Sequence, residues 1–93
     1  MSIPIVYKSV DEDSVVLDVD GDWKGASLKS TMNFFTLYST VDCEVKFNDL
    51  GDKSKFFVKN MTYTYFVPLK CVFVRSSDGS VGKFYVWAER LIV

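Results

Sequence analysis

The sequence predicts an all-β fold, a small barrel or sandwich of five to seven mainly antiparallel strands with at most one short helix. Three observations predict it. Val41, Cys43, Val45 and Phe47 alternate strictly with Asp42, Glu44, Lys46 and Asn48, the period of a strand with one buried and one wet face. Asp78-Gly79 lies between two runs of β-branched and aromatic residues, and this dipeptide readily closes a two-residue hairpin. Clusters of Gly, Asn, Asp and Ser punctuate the chain at short intervals, with no convincing long helix between them. The 93 residues make a single β domain, residues 1–93, since a chain of this size closes one core and not two.

Near the start, Ile3, Ile5 and Tyr7 alternate with Pro4, Val6 and Lys8, and after Asp11-Glu12-Asp13 a second apolar run covers 14–19. A first hairpin is expected there. Residues 18–25, DVDGDWKG, have the composition of a turn, with Trp23 expected to fold back over one end of the core. Residues 26–40 carry two patterns at once: Leu28, Met32 and Phe35 have helical spacing, with Ser27 as an N-cap, while Met32, Phe34, Thr36 and Tyr38 alternate. A short helical turn near 27–31 leading into a strand reconciles them, because β-branched and aromatic residues from Phe34 onward suit a pleated surface.

The strand of 41–47 follows, then a loop at 48–54, NDLGDKS. Residues 55–67 are rich enough in Phe, Tyr, Thr and Val for one long strand, bulged or bent at Asn60, which Pro68 either ends or marks as an edge. The hairpin comes next. With Asp78 and Gly79 as its loop, Phe73 pairs with Phe84, Cys71 with Val86 and Leu69 with Ala88. That face is apolar and should win the core, since burying one Phe stabilises by about 1.5–3 kcal/mol and a cross-strand pair by only about 0.2–1 kcal/mol. The opposite face carries Val74 with Lys83, Val72 with Tyr85 and Lys70 with Trp87. Residues 89–93 either prolong the second strand or add a short closing one.

Composition narrows the function. Hydrophobic residues at 48% exclude a disordered chain, and no apolar run approaches the ~20 residues of a membrane helix. The opening MSIPIVYKSV lacks the basic and apolar regions of a secretory signal, so a cytoplasmic protein is expected, without a membrane association. Cys43 and Cys71 fall on apolar-facing positions and are expected as buried free thiols. The net charge of −1 is unevenly spread, at −6 over residues 1–52 and +5 over residues 53–93, which suits complementary faces or two different partners.

Residues 15–22, VVLDVDGD, resemble the first motif of the haloacid dehalogenase-like phosphatases, an apolar strand ending in Asp-x-Asp-Gly. That resemblance would make Asp18 a nucleophile and Asp20 a general acid around magnesium. It covers eight residues; Asp22 occupies the position that is usually Thr or Val, and the crossover helices of a parallel sheet are missing. Asp18, Asp20 and Asp22 also have the first three spacings of a calcium loop, but glycine comes at the fourth position and Lys29 at the twelfth. Without histidine, the commonest general base and metal ligand is gone, and no enzyme chemistry, metal or cofactor is expected.

What remains is binding. Nine of the fifteen aromatics lie in residues 53–93 with the seven basic residues of that half. Lys70, Val72, Lys83, Tyr85 and Trp87 on the outer hairpin face, with Arg75 at its tip, form the candidate site. A protein partner or self-association is expected there, as for an adaptor, an inhibitor or an assembly subunit, because Tyr, Trp and Arg anchor interfaces. The residue usage would suit an accessory protein of a phage or virus. The alternative is single-stranded nucleic acid, with rings stacking bases and cations tracking phosphates, although a pI near 5.2 lacks a basic footprint.

Overall fold

The computed structural model describes residues 7–92. Those residues form eight strands and no helix: β1 (Lys8–Val19), β2 (Lys24–Met32), β3 (Phe34–Ser39), β4 (Cys43–Phe47), β5 (Lys55–Phe57), β6 (Thr62–Tyr65), β7 (Leu69–Ser76) and β8 (Gly82–Ile92). They make two antiparallel four-stranded sheets, β1-β8-β3-β6 (sheet A) and β2-β7-β4-β5 (sheet B). The sheets are not closed into a barrel. The all-β class is as expected, with one strand more than the five to seven anticipated. None of these elements is a helix long and apolar enough to cross a membrane.

The chain changes sheet at six of the seven connections between these strands, and only β4 and β5 form a hairpin. Inward residues of both sheets meet in one core: Val19, Phe35, Leu37, Phe84, Val86 and Ala88 from sheet A, and Leu28, Met32, Cys43, Val45, Phe57, Leu69, Val72 and Val74 from sheet B. Tyr63 and Tyr65 seal the β5–β6 side, Tyr63 stacked on Phe57 and Tyr65 on Phe35.

The hairpin expected at Asp78-Gly79 is not formed. β7 pairs with β2 and β4, whereas β8 pairs with β1 and β3. A type I′ turn needs positive φ at both central residues, but only Gly79 has it, at 83°. Asp78 instead accepts hydrogen bonds from the Ser80 amide and the Ser76 hydroxyl, both at 2.9 Å, an Asx turn. The Ser76 and Ser77 amides are held by the carbonyls of Asp20 and Asp42, and the chain then passes to the other sheet. Gly82 enters β8 so close to Thr40 and Val41 that a Cβ there would lie 2.7 Å from a Val41 methyl. The expected cross-strand pairs go with the hairpin. Phe84, Val86 and Ala88 do face the core, but in β7 the inward set is Leu69, then Val72 and Val74, leaving Cys71 and Phe73 half-exposed.

Asp11-Glu12-Asp13 lies inside the unbroken β1, with a register shift between Ser9 and Asp11, so no hairpin turns there; the remainder of that expectation, residues 1–6, lies outside the described residues. The helical turn at 27–31 is absent, because β2 is extended through it and the chain bends at Asn33. The side chain of Asn33 imitates a strand partner, accepting from the Leu91 amide at 2.7 Å and donating to the Leu91 carbonyl at 2.8 Å. Residues 55–67 are two strands in different sheets, broken where Asn60 adopts φ 61°. Trp23 does not plug the core; it lies on the outer face of sheet B, with Lys46 Nζ and Arg75 Cζ each 4.7 Å from its ring centre. Residues 89–92 prolong β8, the first of the two alternatives.

Candidate functional site

Sheet A presents a flat outer face whose rows follow from the pairing register. Val16, Tyr85, Tyr38 and Thr62 form one row, and Ser14, Trp87, Thr36 and Thr64 the next. On one side of these come Glu12, Glu89 and Phe34, on the other Asp18 and Lys83. Every one of these residues occupies the outward position of its strand because the inward ones, Phe84, Val86, Ala88, Phe35 and Leu37, are claimed by the core.

The centre of the face is aromatic and preformed. Tyr85 and Trp87, two residues apart on β8, stack with ring centres 5.9 Å apart and planes 9° from parallel. Tyr38 stands 6.1 Å from Tyr85, its hydroxyl donating to Asn60 Oδ1 at 2.9 Å. Trp87 remains 51% exposed and Val16 56%, so this chain leaves them uncovered. Phe34 and Phe66, 4.7 Å apart, extend the apolar surface toward β6. Thr36 and Thr64 share a hydrogen bond at 3.3 Å that ties β6 into the face.

Electrostatically the face is acidic. Among the described residues its cation is Lys83, bonded to the Asp18 carboxylate, which raises the ammonium above its ordinary pKa of 10.5. Glu12 and Glu89 stand directly opposite each other across β1 and β8. Beside them an open cleft of about 430 Å³ is lined by Glu12, Asp13, Ser14, Trp87, Ala88 and Glu89. The small Ser14 opposite Trp87 leaves room there.

The six residues singled out from the sequence divide three ways. Lys83, Tyr85 and Trp87 come together on this face. Lys70 and Arg75 lie on sheet B, where Lys70 is exposed and Arg75 pairs with Glu44 at 2.7 Å under the Trp23 ring, so Arg75 is not at a hairpin tip. Val72 is fully buried in the core and forms no part of any surface. The residues missed were Val16, Tyr38, Thr36, Thr64, Glu12 and Glu89. The alternation of Phe34, Thr36 and Tyr38 was the available signal for β3, but nothing local shows that β3 lies beside β8.

Elsewhere, Asp18, Asp20 and Asp22 do not converge as ligands. Asp18 binds Lys83, and Asp20 accepts from the Asp22 amide at 2.9 Å and pairs with Lys24 at 3.3 Å. Among the described residues no three His, Cys, Asp or Glu side chains are grouped as a metal site. Cys43 is buried and its thiol pKa is pushed up by burial, while Cys71 is only half-buried, contrary to expectation; neither forms a disulfide.

By fold and surface, the chain is a two-sheet antiparallel β protein with a preformed aromatic face. Comparison with protein-family models, with curated proteins and with solved structures gives no match.

Proposed function

We propose that this chain is a non-enzymatic binding module that docks a protein partner, or a second copy of itself, on the outer face of sheet A. The observation that carries the proposal is the contiguous patch of Val16, Tyr38, Tyr85 and Trp87, half-exposed, with Trp87 stacked on Tyr85 and Tyr38 tilted against it. Rigid aromatic side chains lose little entropy on docking and contribute large apolar areas, which makes them the usual anchors of interfaces.

The same rings could stack bases, but the surrounding charge favours a protein. A nucleic-acid backbone laid across this face would meet Glu12, Asp18 and Glu89, with Lys83 already engaged by Asp18. Lys70 and Arg75 belong to the other sheet and cannot track phosphates bound here.

The test is capture from the native host's extract, with nuclease present, using the wild type and the Tyr85→Ser and Trp87→Ser variants in parallel. A protein retained by the wild type and lost by both variants, whose melting temperatures stay near the wild type, supports the reading. Capture that is indifferent to both substitutions overturns it. Binding of a labelled oligonucleotide at about 50 mM salt, weakening steeply as salt rises, would transfer the face to nucleic acid.

A further inference from the structure

Among the described residues, neither Glu12 nor Glu89 takes part in an ion pair. They are directly opposed across an antiparallel ladder, an arrangement in which like charges destabilise the sheet. The ion pairs among the described residues use other carboxylates: Lys24 with Asp20, Lys29 with Asp11, Arg75 with Glu44 and Lys83 with Asp18. Lys29 is near enough to feel the charge of Glu12, but its ammonium is held by Asp11 at 2.8 Å.

Both glutamates open onto the cleft beside Trp87. Trp87 lines that cleft and Tyr85, which stacks on it, does not. The volume, about 430 Å³, lies within the range of roughly 300–1,000 Å³ found for ligand sites and admits a long side chain. Asp13, the third carboxylate of the lining, already accepts the Ser14 and Lys29 amides, each at 2.9 Å, and a tryptophan beside the two remaining carboxylates is complementary to one chemical group above others. A guanidinium is planar, carries a fixed positive charge, stacks on an indole face and offers a fork of donors to carboxylates.

Resting on the docking reading above, we propose that the Trp87 cleft is the receptor for an arginine side chain of the protein partner, stacked on Trp87 and bonded to Glu12 and Glu89. The incoming cation relieves the repulsion between the two glutamates. It also gives the face a charge requirement that its aromatic patch alone lacks: partners presenting a basic residue at this point are accepted, and acidic ones are repelled.

The test uses two blocked tetrapeptides, identical except that one carries arginine where the other carries citrulline, titrated into the full chain while the Trp87 indole N–H is followed by NMR. The arginine peptide is expected to shift that resonance saturably and its citrulline twin is not. The double variant Glu12→Gln, Glu89→Gln should weaken the response by about tenfold or more, the equivalent of one charge-assisted hydrogen bond, with an unchanged or raised melting temperature. Equal shifts from the two peptides, no shift at Trp87, or full binding by the double variant overturns the proposal. If the double variant still captures the partner that Trp87→Ser loses, the docking face stands and the arginine falls; if neither substitution matters, both fall.

Discussion

Asp78 accepts from Ser80 and Ser76 and thereby keeps its own backbone out of the hairpin conformation. The Ser80 hydroxyl and amide, with the Ser76 hydroxyl, hold its carboxyl down at about 2 against an ordinary 3.8. A depressed folded pKa contributes stability that is present above the unfolded value and is lost as pH falls through the folded one. Asp78→Ala should therefore lower the melting temperature at pH 6, and its gap from the wild type should close between about pH 4 and pH 2; a gap independent of pH would refute this. On β8, neighbouring positions separate core from surface. Phe84→Ala, at a fully buried site, should cost about 3–5 kcal/mol in urea unfolding, whereas Trp87→Ala should cost about 1 kcal/mol or less. Comparable losses at the two positions would place Trp87 in the core and remove the docking face.

At the scale of elements, the informative places are the corners. Leu28, Met32 and Phe35 have helical spacing in the sequence because two strands, each with its own inward parity, meet at Asn33. A period of two interrupted by a one-residue bend imitates a period of 3.6. Asn33 sustains that bend through its paired bonds to Leu91, so Asn33→Ala is expected to cost about 1–2 kcal/mol, at roughly 0.5–1.5 kcal/mol per bond. The loss should be accompanied by faster hydrogen exchange at the Leu91 amide, and unaltered exchange there would show that the side-chain pairing is unimportant. Asn60 was legible as a break, since asparagine tolerates the left-handed conformation it adopts. That the break sends the chain to the other sheet was not, because a bulge and a corner use the same residue types.

At the scale of the molecule, the repeated crossing between sheets leaves neither sheet able to form from one contiguous stretch. β1 reaches β8 with Lys8 opposite Ile92, so one of the two inner strands of sheet A receives its edge partner from the opposite end of the described residues. Such non-local pairing predicts refolding in milliseconds to seconds, as for all-β sandwiches, and one cooperative transition. The two tryptophans report on opposite sheets, Trp23 on sheet B and Trp87 on sheet A. In Trp23→Phe and in Trp87→Phe, fluorescence and circular dichroism should give the same urea midpoint, and divergent midpoints would mean that the sheets unfold separately.

From the sequence by itself follow the all-β class, β4 and its loop to β5, the inward face of β8 and the pairing of Tyr85 with Trp87 on one outward surface. These are local properties, set by alternation within a single strand. Tertiary structure alone decided which strands are neighbours, and with that the burial of Val72, the removal of Lys70 and Arg75 to the other sheet, and the meeting of Trp87 with Glu12 and Glu89. The physical reason is that a strand's two faces are fixed by its own period, whereas its partner is chosen by the burial of the whole core. Asp78-Gly79 supplies a bend in either case, and placing β7 and β8 in different sheets, instead of side by side, turned the expected hairpin into a crossing between them.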